Sequence, residues 1–316
     1  MSSSELDQSP TTHRLIQGDA RHLGYIPDAS VHLVITSPPY WTLKRYNESP
    51  NQLGHVEEYE HFLEELARVW KHCFRVLVPG GRLVCVVGDV CLSRRKFGRH
   101  LVMPLHADIA VACRKIGFDN LNPIVWYKIS NANYEVSNGT KFLGKPYEPN
   151  AIIKSDIEFI LMQRKPGGYR KPTEEQRRLS KIDKKDYGAW FRQIWDVPGA
   201  STQHHPAPFP LEVASRLVRM FSFFSDTVLD PFCGTGTTMV AAVNAGRNSI
   251  GVEIDPEYCR LAARRLKAET STLFSNARLM FETTWEDQAG LIQLRENADM
   301  VDAQPRNRRV RSSTDT

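Results

Sequence analysis

The sequence predicts an α/β fold, a mostly parallel sheet covered by helices on both faces. Short apolar runs without polar alternation, among them HLVIT, RLVCVVG and NSIGVE, are the pattern of strands buried on both sides. Between them stand amphipathic segments whose apolar residues recur at three- and four-residue steps. The two kinds of segment alternate along most of the chain, as βαβ units do.

Residues 1–13 are polar and are expected to be disordered. Val31 to Ile35 forms a buried strand, stopped by Pro38 and Pro39. A loop rich in Asn, Ser, Pro and Gly covers about 42–55, and a long helix follows with Tyr59, Phe62, Leu63, Leu66, Val69, Trp70, Cys73, Phe74 and Leu77 on one face. Pro79-Gly80-Gly81 is expected to end it. RLVCVVG is the next strand, 103–117 the next helix, and NPIVWYK another strand.

Between about 129 and 195 the pattern breaks. The chain there is polar, basic and dotted with aromatics: Tyr134, Phe142, Tyr147, Tyr169, Tyr187, Trp190, Phe191 and Trp195. Only DIEFILMQR at 156–164 has the character of a core strand, so most of the remainder is expected to lie outside the central sheet. Regular pattern resumes with the helix LEVASRLVRMF, the strand TVLDPF, the helix TTMVAAVNAG, the strand NSIGVE and the helix PEYCRLAARRLK. From about 285 the sequence is irregular, ends in the basic run PRNRRVR, and has too few apolar residues to build a core.

The net charge of +5 over 316 residues is unevenly placed. Ten Lys/Arg face four Asp/Glu between Arg164 and Arg192, a local surplus larger than that of the whole chain. Such a stripe suits a polyanion, nucleic acid above all. The six cysteines show no CxxC spacing, which points to a reduced cytoplasmic compartment and no zinc site. The N-terminus has no apolar core of a signal peptide, and no apolar run reaches the roughly eighteen residues of a membrane span.

Two short segments carry the chemistry. TVLDPFCGTGTT reads as strand, tight turn and helix start, in which Gly234 and Gly236 let the backbone approach a ligand closely. About twenty residues on, a second strand ends in Glu253, placed to accept hydrogen bonds from ribose hydroxyls. Thr237 stands where a phosphate-binding loop needs Lys, and the third glycine of a dinucleotide fingerprint is absent. A nucleoside without phosphates is favoured, and S-adenosylmethionine fits.

The other segment is TSPPYW at 36–41. Methylating an aromatic amine requires freeing a lone pair that is delocalised into the ring. Acceptors that take both amino protons push the nitrogen towards sp³; Ser37 offers its hydroxyl oxygen and Pro38 its carbonyl. Proline stiffens the backbone, so these acceptors stand in place beforehand. Tyr40 is expected to stack on the ring and Trp41 to add a wall. A base in a duplex reaches such a pocket only by flipping out.

Ser37-Pro38-Pro39-Tyr40 matches the (S/N/D)-PP-(Y/F/W) signature of the amino-group DNA methyltransferases, and LDPFCGTGTT resembles their FxGxG cofactor motif. Catalytic motif first, variable region second and cofactor motif last resembles the β arrangement of that family. The likeness covers about 14–268. It implies an S-adenosylmethionine-dependent methyltransferase fold with circularly permuted motifs, a seven-stranded, mostly parallel sheet and one reversed strand. It divides the chain into a catalytic half (14–128), a target-recognition insertion (129–195), a cofactor half (196–284) and a basic tail (285–316).

The same resemblance carries cofactor roles onto Asp19 and Ala20 in GDARHL, onto His205, Pro206 and Phe209 in HHPAPFPLEVASRLV, and onto Asp230, Phe232, Gly234, Gly236, Thr237 and Thr238, with Glu253 and Ile254 beyond them. Candidate phosphate contacts are Lys44, Arg45, Arg94, Arg95 and Lys96, and, in the implied insertion, Arg170, Lys171, Arg177, Arg178, Lys184 and Lys185. The implied partner is double-stranded DNA, in a cytoplasmic, nucleoid-associated and metal-free enzyme. The usual setting of the family is restriction–modification beside a cognate endonuclease; a monomer and a homodimer are both compatible with the residues.

Within the family, Ser at the first catalytic position is typical of cytosine-N4 enzymes and Asp of adenine-N6 enzymes, although SPPY also occurs in the latter. N4-methylcytosine is therefore the expected product and N6-methyladenine the alternative. Carbon-5 methylation needs a cysteine in a Pro-Cys pair, and none of the six follows a proline. The deaminase zinc signature is absent too. The basic stripe argues against a free metabolite and less against RNA. A DNA-binding module with a dead cofactor site would have no reason to keep Ser37, Tyr40, Gly234 and Gly236.

Overall fold

The computed structural model of the protein describes residues 10–41, 51–92, 94–128, 149, 153, 155–199, 210–271 and 276–300, with Lys96 and Asp299 described by backbone alone. In chain order these form β1 (Thr12–Gln17), β2 (Val31–Thr36), α1 (Tyr59–Val76), β3 (Leu77–Val87), β4 (Val90–Leu92), α2 (Arg94–Phe97), β5 (Leu101–Met103), α3 (Leu105–Ile116), β6 (Asp119–Tyr127) and β7 (Ile157–Arg164). Then come α4 (Glu174–Leu179), α5 (Lys184–Trp190), β8 (Ile194–Asp196), α6 (Leu211–Phe221), β9 (Thr227–Asp230), α7 (Thr237–Asn244), β10 (Asn248–Glu253), α8 (Pro256–Thr270), β11 (Arg278–Glu286) and β12 (Ile292–Glu296). No described helix is long and apolar enough to cross a membrane.

Ten strands make one sheet in the order β12-β11-β1-β10-β9-β2-β3-β7-β6-β8. The seven from β1 to β6 are the expected sheet, parallel except for the reversed β7, which pairs antiparallel with both β3 and β6. Three further strands extend the edges. The permuted order is visible in the pairing, because β9 and β10, late in the chain, insert between the two earliest strands.

Side chains alternate between the two faces, and both faces are covered. Val34, Leu83, Cys85 and Val87 join one core with Phe62, Leu66, Val69 and Trp70 of α1 and Ile109 and Cys113 of α3. Leu33, Ile35, Val84 and Val86 point the other way, onto Val213, Leu217 and Val218 of α6 and Ala241 and Ala242 of α7. Burial on two faces is why these strands read as continuous apolar runs. The helix starts are set locally. Glu58 caps α1 by accepting from the Glu60 and His61 N–H groups at 3.1 and 2.7 Å, and Asp255 caps α8 ahead of Pro256.

Several expectations are corrected. Helix α1 stops at Val76, and Pro79-Gly80-Gly81 lies inside β3 rather than after the helix. Gly80 takes the left-handed φ of 79° and its N–H donates to the Lys165 carbonyl. The described residues from 285 to 296 are also regular: β11 lies parallel to β1, and β12 returns antiparallel to β11. Leu279 and Phe281 of β11 pack on the core beneath α8, so a few apolar side chains suffice when a sheet edge is waiting for them.

The core strand expected at 156–164 is β7, central in the sheet, and the chain after it adds an edge strand, β8, that the sequence pattern does not show. Because β7 is reversed, Arg164 ends opposite Arg82 and Asp119, at the edge where the parallel strands begin. The next residues lie under that edge. Gln176 donates to the Phe224 carbonyl at 3.1 Å, the Phe224 N–H donates to Ser180 at 2.7 Å, and Asp186 pairs with Arg219 at 3.5 Å. Arg170 makes a bidentate ion pair with Asp226, whose side chain is 1% exposed. Trp190 and Trp195 are buried in the core of this face. The polar, basic surface disguised a segment that packs through a few large aromatics.

Arg170 therefore neutralises a buried carboxylate instead of meeting a phosphate. Arg170→Ala is expected to destabilise the fold by about 3–5 kcal/mol in urea unfolding, while leaving DNA affinity unchanged at temperatures where the variant is folded.

Candidate active site

Between β9 and β2 the connections change direction, β9 and β10 running to one side and β2 and β3 to the other. In open α/β sheets such a switch point leaves a crevice at the carboxyl ends of the strands. The two chemically loaded segments both emerge there: SPPY directly after β2 and PFCGTG directly after β9. They are nearly two hundred residues apart in sequence and adjacent in space, with Leu33 beside Val228 and Val34 beside Leu229.

A side-chain bond ties the two strand ends. Thr36 Oγ1 donates to Asp230 Oδ1 at 2.7 Å, and the same oxygen accepts the Phe232 N–H at 3.1 Å. Asp230 is 2% exposed. Burial pushes its carboxyl up to about 6, against the pull of these donors. Predicted as a cofactor contact, Asp230 instead holds the loop in position.

One pocket gathers residues from all the neighbouring strand ends. Gly18, Asp19 and Ala20 come from β1, Ser37 and Pro39 from β2, Pro231, Phe232 and Gly234 from β9, and Glu253 and Ile254 from β10. Asn51, Gln52 and Leu53 close one side, and Tyr258 of α8 another. The walls thus combine apolar side chains (Leu53, Phe232, Ile254 and Tyr258) with the carboxyl groups of Asp19 and Glu253.

Glu253 is the most perturbed of these. Its carboxylate accepts the Gly234 N–H and the Asp255 N–H, both at 2.9 Å. Burial, with the nearby Asp255 and Asp230 charges, nevertheless pushes it up to about 7. A carboxyl in that state gains from any further hydroxyl donors. Gly234 has a φ of 52°, which brings bare backbone to the pocket. Asp19 is oriented from behind: it accepts the Arg21 N–H at 2.8 Å and pairs with the Arg21 guanidinium, which also reaches Glu65.

Not every predicted residue faces the pocket. Gly236 (φ 81°) serves packing, since a Cβ there would lie 3.1 Å from that of Ala262. Thr237 accepts from Arg265 at 3.3 Å and Thr238 is buried. Pro38 is buried beside Ser37. Tyr40 is 7% exposed, and its hydroxyl reaches Glu158 at 3.3 Å and Ser37 at 3.4 Å. Trp41 is no wall of the pocket: its indole N–H donates to the Val56 carbonyl at 2.8 Å and its ring meets Tyr59 edge-on at 5.1 Å.

The basic residues divide by edge. Arg94 and Arg95 are exposed on α2, between β4 and β5, just beyond the carboxyl end of β3 and on the pocket's edge of the sheet. Lys171, Arg177, Arg178, Lys184 and Lys185 are exposed at or near the opposite edge, with Arg170. A strand's length, about 20 Å for six residues, separates them from Ser37. They do not join the site. Lys44, Arg45, His205, Pro206, Phe209 and the Lys96 side chain lie outside the described residues.

Sequence reasoning missed the pocket residues Asn51, Gln52, Leu53 and Tyr258. Tyr258 carried a signal, because it stands on the first helical turn three residues after a capping Asp. The others sit in segments whose role depends on tertiary pairing.

Comparison with known proteins agrees with this geometry. Residues 31–264 match the N6_N4_Mtase family of DNA methylases. The chain is 40% identical over 276 residues to the type II methyltransferase M.MjaI of Methanocaldococcus jannaschii, covering 78% of this chain and 88% of the relative. TTHA0409 of Thermus thermophilus, solved in complex with S-adenosyl-L-methionine, is 58% identical with a TM-score of 0.70, over 84% of this chain and 97% of that one. The cytosine-N4-specific PvuII DNA methyltransferase shares the fold at 21% identity and a TM-score of 0.59, over 83% and 90% of the two chains.

The chain belongs to the N6_N4_Mtase family of DNA methylases. It is an amino-group DNA methyltransferase, and its cofactor is S-adenosylmethionine. The residues present fit that cofactor: apolar side chains for a ring, a desolvated carboxyl seeking hydroxyl donors, and a glycine backbone at the turn.

Proposed function

We propose that this enzyme methylates the 4-amino group of a cytosine flipped out of double-stranded DNA, as the modification arm of a restriction–modification system in the cytoplasm. The observation that carries the reading is that Ser37 and Pro39 line the same pocket as Gly234 and Glu253. An amine held at Ser37 is thus beside the cofactor-binding wall. Serine, not aspartate, at this position favours cytosine over adenine.

In this reading Ser37 Oγ and the Pro38 carbonyl accept the two amino protons and localise the nitrogen lone pair. Buried Pro38 and half-buried Pro39 keep both acceptors still, so orientation is in place before the base arrives. Bound S-adenosylmethionine would supply an activated sulfonium methyl and leave as the neutral thioether, so no covalent enzyme intermediate is required, and the amino proton lost on transfer passes to solvent because Ser37 is a weak base. With that cofactor bound, Glu253 would accept from the ribose hydroxyls, Asp19 and Ala20 would hold the adenine, and Phe232 and Ile254 would supply apolar contact. Arg94 and Arg95 approach DNA phosphates from the pocket's edge.

Ser37→Ala is expected to lower turnover about 100-fold or more with DNA affinity unchanged; equal losses in both would contradict the role. Digesting DNA from cells expressing the enzyme and weighing its nucleosides should yield N4-methylcytosine. N6-methyladenine would move the assignment to the other base.

Glu253 makes the affinity for S-adenosylmethionine depend on pH. With its carboxyl near 7 in the free protein, the acid form dominates at pH 6 and the accepting carboxylate at pH 8. Binding should therefore tighten about tenfold between pH 6 and pH 8, with protons released on binding. Calorimetry in buffers of different ionisation enthalpy checks both; a flat profile would remove Glu253 from the ribose.

A further inference from the structure

Beside Ser37 runs a chain of polar groups that the transfer reaction, as described, does not use. Lys128 Nζ lies 2.8 Å from Glu158 Oε1. Glu158 Oε2 is 3.3 Å from the Tyr40 hydroxyl, which is 3.4 Å from Ser37 Oγ. Lys128 and Glu158 are 18% and 16% exposed at their side chains, so the pair is largely withdrawn from water. Lys128 directly follows β6 and Glu158 stands on the reversed β7, opposite Trp126. The fold makes room for the arrangement: at Gly88, just past β3, a Cβ would come within 3.3 Å of Glu158 Cγ and 3.8 Å of the Tyr40 ring.

The chemistry of these groups gives the chain a direction. An ammonium only donates, and an ionised carboxylate only accepts. Glu158, already neutralised by Lys128, therefore takes the Tyr40 hydroxyl proton in a hydrogen bond. A hydroxyl has one proton to give, so Tyr40 meets Ser37 as an acceptor and Ser37 donates to it. The Ser37 hydrogen then points away from the pocket, and its lone pairs face the incoming amine. A serine left to rotate would spend part of its time presenting a donor to a group that can only be activated by acceptors.

We propose that Glu158, held by Lys128, is a positioning residue that sets the hydrogen-bond polarity of Ser37 through the Tyr40 hydroxyl. This rests on the assignment of Ser37 as the acceptor of the amine. It gives the Tyr40 hydroxyl a task that a stacking ring does not require. The long distances in the free protein belong to a site whose hydrogen bonds tighten when substrate is bound.

The test compares Tyr40→Phe, Glu158→Gln and the double variant in steady-state methylation of duplex DNA, with cofactor affinity measured beside it. Each single variant should lose about 10- to 100-fold in kcat, the size of a hydrogen bond to a charged group, with KM for DNA and cofactor affinity unchanged. The double variant should fall no further than the lower single one, because both act through one path. Additive losses, a kcat like that of the wild type in either single variant, or losses confined to KM would overturn the proposal. If Glu158→Gln does not fold, as loss of cofactor binding would reveal, Tyr40→Phe alone decides on its kcat and KM. Ser37→Ala keeps the two readings apart. A collapse of turnover in that variant, with Tyr40→Phe like wild type, rejects the polarity chain and leaves the Ser37 assignment standing; an active Ser37→Ala rejects the assignment itself.

Discussion

The hydrogen bond from Thr36 to Asp230 joins the last residue of the strand that carries the candidate acceptors to the last residue of the strand that carries the cofactor loop. Everything else about the site follows from those two strands being neighbours. Their pairing is short, two residues in register, so the backbone ladder alone holds the ends weakly. A buried side-chain bond at the point where the strands open towards the pocket fixes the relative position of Ser37 and Phe232. Misplacement of reacting groups by an ångström is costly in rate, and this bond lies where such misplacement would begin.

The permuted connectivity becomes simple in this light. A methyltransferase site needs an acceptor and a donor pocket on adjacent strand ends, and the sheet supplies them whichever segment comes first in the chain. Two carboxyls, buried Asp230 and half-buried Glu253, flank the cofactor loop. Both are pushed up by desolvation, and both restrain it through backbone N–H groups, of Phe232 in one case and Gly234 in the other. The loop is held by charges that the surroundings tolerate only because they are hydrogen-bonded. On the far side, Lys128 and Glu158 extend the polar frame to Tyr40 and Ser37.

Much of this was legible in the residues. Buried parallel strands announce themselves as unbroken apolar runs, and capped amphipathic helices by their spacing, so the central sheet and its covering helices could be placed. SPPY and FCGTG mark turns whose chemistry is local. What was not legible depended on partners distant in sequence. Arg170 looks like any surface cation until Asp226 appears beneath it. The basic stripe around it is read as a nucleic-acid surface because composition records charge and not which edge of a sheet bears it. Aromatics beside a catalytic turn suit stacking on a base, and the residues alone do not show that the Tyr40 hydroxyl reaches Glu158 or that Trp41 donates to Val56. β12 leaves little mark in the sequence because an edge strand needs only one partner and few apolar residues.

Thr36→Val, unfolded in urea at pH 5 and pH 8 and assayed for methyl transfer, tests the tie most directly. The Asp230 carboxyl is raised from its unfolded value of 3.8 to about 6 in the fold, so its contribution to stability is full below the unfolded value and is lost as pH rises through 6. Removing the Thr36 donor raises it further. The variant should therefore be destabilised more at pH 8 than at pH 5, by about 1.5–3 kcal/mol at the higher pH, and its turnover should fall by about tenfold or more. Equal stability loss at both pH values together with wild-type turnover would show that the two strand ends keep their places without it.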